Sequence, residues 1–178
     1  FAAAARKYAF ELIAQEYDHD YGNKQEYVTA SMRNGRILEP QSRRFYEFET
    51  GCDVEEVGFV TTDDKHFGCS PDGLCGDDGG AEFKNPDPST HVEWLWNGVV
   101  PPEHLPQVHW SLVVTGREWW DFMSHYSGLP PLLVRTYRDE RTEKLAEHME
   151  TFWAMLQEMR AKIHPYTPVS GERVEAYF

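Results

Sequence analysis

The stretch GCSPDGLCGDDGGAEFKN, residues 68–85, constrains the fold more than any other part of the chain. Its apolar pieces are separated by PDG and GDDGG, where Pro presets one dihedral and Gly tolerates positive φ, so both are turn formers. A strand over HFGCS (66–70) and another over AEFKN (81–85) must therefore fold back beside each other. Alternate side chains of a strand share a face, which sets Glu82 and Lys84 on one side, roughly 6–7 Å apart along the backbone, while Phe83 turns toward a core. Asp72, at the end of the preceding strand, is folded toward Glu82, so two carboxylates and an amine converge on one point.

Hard oxygen ligands of this kind suit magnesium or manganese, which bind through a few carboxylates and keep positions open for water and substrate phosphate. A lysine alongside can orient an attacking water and stabilise charge on phosphorus, so the group points to metal-assisted phosphodiester hydrolysis. Each piece alone is unremarkable. PDG is a turn, Asp77 and Asp78 beside GG are most simply turn residues, and E-x-K on a strand is a common charge pair. Their conjunction in this order and spacing carries the reading.

The remaining sequence supplies a frame for such a site. Helical spacing predicts an amphipathic helix over residues 2–17, then a polar loop, DHDYGNKQ, and a second helix over 29–48 kinked or restarted at Pro40, beside Glu39. VEEVGFVTT, HFGCS and AEFKN read as strands, PSTHVEWLWNG and PPEHLPQVHWSLVVTG as helices, EWWDFMSHYS and LLVRTYRDE as strands, and residues 139–163 as a long helix. The expected architecture is α/β or α+β, a small mixed sheet flanked by helices, in one domain over residues 1–178 with its core at about 25–140.

Three cysteines without CxxC spacing argue against a disulfide framework or a zinc ribbon. No apolar run approaches a membrane span, so a soluble, intracellular protein is expected, and the start at Phe1 suggests a missing upstream piece. The net charge of −13 argues against indiscriminate adhesion to nucleic acid. A local basic groove or bound divalent cations reverse that sign where it matters. Arg33, Arg36, Arg43 and Arg44 fall on the helix that carries Glu39 and either line a path for DNA or form a solvated face paired with Glu47 and Glu49. Trp94 and Trp96 are core anchors or stacking surfaces for bases. His104 and His109, five residues apart on a helix, do not share one face well enough for zinc.

NGRILEP (34–40), ETG (49–51), EEVGFV (55–60), GCSPDGLCGDDGGAEFKNP (68–86) and PQVHWSLVVTG (106–116) together resemble the PD-(D/E)xK nucleases. Within them the pattern is similar to the lambda-exonuclease-type, YqaJ-like viral recombination exonucleases, over about residues 25–140. That resemblance implies a restriction-endonuclease-like core. It implies Asp72 as central metal ligand, Glu82 as a second, the Phe83 carbonyl as a backbone ligand, Lys84 as catalytic lysine and Glu39 reaching the same ions. Gln107 lies near the attacking water or phosphate in this scheme, Ser70 contacts substrate phosphate, and His104 stands where many members carry tyrosine.

The resemblance further implies two Mg²⁺ or Mn²⁺ ions, duplex DNA ends as substrate, 5′ to 3′ digestion to 5′ mononucleotides, a homotrimeric ring and a single-strand-annealing partner. The setting would be phage or prophage recombination in the host cytoplasm. The upstream Arg and Ser segment with which the family grips a 5′ phosphate is not in this chain. The alternatives are a RecB-like or endonucleolytic nuclease on the same core, or a non-catalytic DNA- or cation-binding module.

Overall fold

Two glycines fix how the centre of the sheet is built. A Cβ on Gly79 or Gly80 would come within 2.0 Å of the Trp119 ring and 2.2 Å of the Trp120 ring respectively, so only glycine lets both indoles lie on the neighbouring strand. The computed structural model describes residues 3–18 and 30–163, apart from the side chains of residues 30–34 and 36. The chain divides into two compact units, Tyr27–Glu147 and Phe1–Glu26 together with His148–Phe178.

In the first of these units, helix α2 (Ala30–Thr50) precedes β1 (Val54–Glu55), β2 (Val60–Thr61), β3 (Gly68–Cys69), β4 (Gly73–Cys75) and β5 (Gly79–Lys84). Helices α3 (Pro88–Asn97) and α4 (Leu105–Thr115), strands β6 (Trp119–Ser124) and β7 (Leu132–Tyr137), and the start of α5 (Glu140–Ile163) follow. The main sheet has the order β1-β4-β5-β6-β7, antiparallel except for the parallel pair β5–β6. β2 and β3 form a separate antiparallel pair. The sheet is thus mixed and flanked by helices, as expected.

Each face of the main sheet has its own core. Leu74, Trp120 and Phe122 pack with Val108 and Leu112 of α4, while Ala81, Phe83 and Met123 pack with Tyr46 of α2. Full burial of such side chains stabilises by about 1.5–3 kcal/mol each. Against the α2 face, Asp121 is buried but fully bonded: Tyr46 Oη donates to Oδ2 at 2.6 Å, and Arg135 donates through Nε to Oδ1 and through Nη2 to Oδ2, both at 2.8 Å. A buried carboxylate is tolerable only with such partners. Arg135 also lies 3.5 Å over the Trp119 ring.

Three sequence expectations change. PDG is followed at once by a strand: Gly73–Cys75 forms β4, so Asp72 begins a strand instead of ending one. Helix α2 runs unbroken through Pro40. A proline in a helix interior costs about 3 kcal/mol, and here the buried face carrying Ser42 and Tyr46 offsets it. Trp94 joins the core, but Trp96 is 89% exposed. The GDDGG turn is as expected, with Asp77 and Asp78 exposed and Gly76 at φ 55°. Arg117 Nη1 closes the turn by donating to the carbonyls of Gly76 and Gly79 at 2.6 and 2.7 Å.

In the other unit, α1 (Ala3–Tyr17) buries Ala9 and Ile13 against Leu156, with Leu12, Phe152 and Met159 around them. Arg160 Nε donates to Glu16 Oε1 at 2.8 Å. All three cysteines are free thiols, and among the described residues no helix is long and apolar enough to cross a membrane.

Gly80→Ala is expected to lower the stability of the fold by about 1–3 kcal/mol through overpacking against Trp120, read from the urea unfolding midpoint. Gly58→Ala, where a Cβ meets open space, should stay within about 0.5 kcal/mol of the parent. Equal midpoints for the two variants would contradict this role of the indole.

Candidate active site

The site forms where β4 stops short of its neighbour. Gly73 pairs with Ala81, so Asp72 stands one step beyond the ladder, opposite Glu82, at a place where β5 continues and β4 does not. An unpaired backbone N–H there would be costly to bury. The Asp72 carboxylate takes the missing strand's place: its Oδ2 accepts the N–H of Phe83 at 2.7 Å. On the other side β6 covers β5 as far as the pair Lys84 and Ser124.

Glu82 is 2% exposed, and its Oε1 accepts a hydrogen bond from the Lys84 ammonium across the strand's alternate positions. Its other oxygen, Oε2, is buried with no hydrogen-bond partner. Phe83 points the opposite way into the α2-side core. The alternation read from the sequence is therefore observed. Burial and then the Glu82 charge push the Asp72 carboxyl up to about 6, against the opposing pull of the Phe83 N–H, Lys84 and Arg43.

Helix α2 brings a third carboxylate. Glu39 is half-buried and raised above the usual range by burial first and then by the Asp72 charge, which places it within electrostatic reach of the strand pair. The helix is pinned next to this end of β5: Ser42 Oγ donates to Asn85 Oδ1 at 2.6 Å and lies 3.1 Å from His125 Nδ1, whose ring stacks on Phe45 at 4.8 Å.

From the opposite face, His104 at the start of α4 packs edge-on against Trp94 and tilted against Phe122, both at 5.3 Å between ring centres. Burial first, then the Lys84 charge, hold its pKa below the ordinary histidine value. Gln107 and Ser70 are exposed, one in the first turn of α4 and the other two residues before Asp72. The side chains of Arg33 and Arg36 lie outside the described residues.

The structure thus brings Asp72, Glu82, Phe83, Lys84 and Glu39 to one end of β5. Arg43 does not line an open path, nor does it pair with Glu47 or Glu49: it is buried and bonded to Glu39 and Glu56. Sequence reasoning passed over this arrangement, although Glu39 and Arg43 are four residues apart on one helix and that spacing is a visible signal. Arg44 turns back to donate to the Pro40 carbonyl at 3.2 Å. His109 is a buried core histidine, 2.9 Å from the Thr142 hydroxyl. A groove of about 510 Å³, lined by Leu105, His109, Tyr137 and Arg138 among others, shares no residue with this cluster.

Among the described residues, no three His, Cys, Asp or Glu side chains stand in a metal-holding arrangement, so Glu39 is near Asp72 and Glu82 without completing a three-carboxylate site. Magnesium does not need one, since it binds through one or two carboxylates and retains waters. The Asp72–Glu82 pair supplies hard oxygen donors, and the buried, unpartnered Oε2 of Glu82 is the observation that fits a cation to this place.

Comparison with known proteins gives the family and the fold. The YqaJ-like viral recombinase domain family matches residues 3–118. The crystal structure of an alkaline exonuclease (LHK-Exo) from Laribacter hongkongensis is similar, with a TM-score of 0.77 and 35% identity, covering 93% of this chain and 86% of that one. LHK-Exo in complex with dAMP gives a TM-score of 0.73 and 34% identity over 93% of this chain and 88% of that one. A phage related exonuclease from Haemophilus somnus 129PT shares the fold at 10% identity, with a TM-score of 0.65 over 91% of this chain and 85% of that one. No curated protein matches.

Because the Asp72 carboxyl is raised from 3.8 to about 6, its contribution to stability is present below pH 3.8 and is lost as the pH rises through 6. Asp72→Asn keeps an acceptor for the Phe83 N–H and removes the charge. With EDTA present at pH 7.5, this variant is expected to be about 1–3 kcal/mol more stable than the parent, and its stability should decline less than the parent's between pH 4 and pH 7, the remainder belonging to the half-buried Glu39. Urea unfolding across that range checks both, and a variant that keeps the parent's pH slope would contradict the assignment.

Proposed function

Since the chain belongs to the YqaJ-like viral recombinase domain family, we propose that it is a divalent-metal-dependent exonuclease that hydrolyses phosphodiester bonds at the ends of duplex DNA. The observation that carries this reading is the buried pair Asp72 and Glu82, with one glutamate oxygen bonded to Lys84 and the other unpartnered.

In this reading Asp72, Glu82 and the Phe83 carbonyl hold the cation, and Glu39 reaches it from α2. A magnesium or manganese ion bound there, or a pair of them, lowers the cost of generating hydroxide from water and of the charge that develops on phosphorus. The chain's own groups do the positioning. Asp72 is fixed by the Phe83 N–H, so its second oxygen is presented at a set angle. The Lys84 ammonium, held beside Glu82, would orient the attacking water and neutralise a phosphate oxygen. Gln107 lies on the water or phosphate side, and Ser70 and the neutral ring of His104 contact substrate phosphate. Arg33 and Arg36 would bind phosphates of the duplex.

The products are 5′ mononucleotides, and digestion runs 5′ to 3′ to leave 3′ single strands for an annealing protein during phage-type recombination. A solved relative held with dAMP is consistent with mononucleotide release. A homotrimeric ring retains the duplex despite the chain's net charge of −13, because topology then does the work that a basic exterior would otherwise do.

The test uses linear and covalently closed duplex DNA with Mg²⁺ or EDTA. Linear DNA is expected to release mononucleotides only with the metal, and closed circles are expected to remain intact. Lys84→Ala and Glu82→Ala should each lower the rate by at least about 10³-fold with unchanged circular dichroism. Cutting of closed circles would point to an endonuclease, and digestion at the parent's rate by either variant would remove these residues from the mechanism.

A further inference from the structure

We propose that Arg43 is a positioning residue for the metal site: it fixes Glu39 so that this carboxylate joins Asp72 and Glu82 around the cation. The inference rests on the metal-dependent reading above and extends it to a residue outside the ligand set.

The guanidinium is held at both ends. Its Nη2 donates to Glu39 Oε1 at 3.0 Å, and its Nη1 pairs with Glu56, whose side chain is 74% exposed. The Arg43 side chain itself is only 10% exposed, and its Nε is buried without a partner. An ordinary exposed pair at this helical spacing contributes only a few tenths of a kcal/mol. Burying an arginine with one donor unsatisfied costs more than that returns. The arrangement is therefore poorly explained as a stabilising ion pair and well explained as a device that constrains Glu39.

Three features of the geometry support that role. A guanidinium offers a planar fork, so engagement by Glu56 on one arm sets the direction in which the other arm meets Glu39. Only Oε1 of Glu39 is tied, which leaves Oε2 as a donor. Arg43 also lies close enough for its charge to act on Asp72, and with Lys84 it gives the three carboxylates two cationic neighbours before any divalent ion binds. Outer partners that orient a ligand typically change metal affinity by about 10–100-fold when removed.

Mn²⁺ binding to the full chain without DNA, followed by electron paramagnetic resonance of the free ion, tests this directly. Arg43→Gln is expected to weaken Mn²⁺ binding by about 10-fold or more, and Arg43→Lys to retain part of the parent's affinity. In a Glu39→Gln background neither change should weaken binding further, because Arg43 acts through Glu39. If Arg43→Gln does not fold by circular dichroism, the Arg43→Lys and Glu39→Gln cycle carries the test. Unchanged binding, tighter binding from relief of repulsion, or effects that add fully to Glu39→Gln would overturn the inference. A parent chain that binds no Mn²⁺ would instead overturn the metal-site reading on which it stands.

Discussion

The hydrogen bond from the Phe83 N–H to the Asp72 carboxylate is the joint on which the site depends. It exists because β4 begins at Gly73 and leaves β5 without a backbone neighbour at this point. Had β4 extended back two pairs further, to Pro71 opposite Phe83, a backbone carbonyl could have taken that N–H in place of the Asp72 carboxylate. The short strand thus converts a gap in the ladder into a carboxylate pair. Burial first, and then the like charge of Glu82, make an ionised Asp72 unfavourable there and push its carboxyl up. Lys84 and Arg43 offset part of the repulsion, and a divalent ion would offset the rest. Such local destabilisation is typical of residues arranged for chemistry.

Two packed faces then deliver the other groups. The α2 face is organised around Tyr46, Asp121 and Arg135, and the same helix carries Ser42, Arg43 and Glu39 to the end of β5. The α4 face rests on Trp120 and Phe122 and carries His104 to the Lys84 side. Since the indoles of Trp119 and Trp120 need Gly79 and Gly80 beneath them, the glycines of the turn do more than reverse the chain. They set how closely β6 approaches the strand that bears Glu82 and Lys84.

Much of this was legible in the sequence because it depends on short spacings. The E-x-K alternation of Glu82, Phe83 and Lys84, the helices bearing Glu39 and His104, and the sheet's helical flanks follow from local periodicity. The parts that were not legible depend on tertiary choices. PDG reads as a turn, yet Gly73 opens β4 because Ala81 pairs with it on β5, while β1 pairs only with the next two residues, Leu74 and Cys75. Pro40 reads as a break, yet the buried face of α2 carries the helix through it. Arg43 reads as one of four basic residues on a helix, and its burial between Glu39 and Glu56, set by the packing of α2, is what distinguishes it from the exposed Arg44. The Asp121 network joins residues far apart in the chain, which no local pattern announces.

The central claim is that Asp72 and Glu82 share a divalent ion. Crystals of the parent chain grown with Mn²⁺ and measured at the manganese absorption edge would show an anomalous peak within about 2.0–2.6 Å of an oxygen from each of these two residues. A chain saturated with Mn²⁺ whose peaks lie elsewhere, with Glu82 still bound to Lys84 and its second oxygen still unpartnered, would contradict the account.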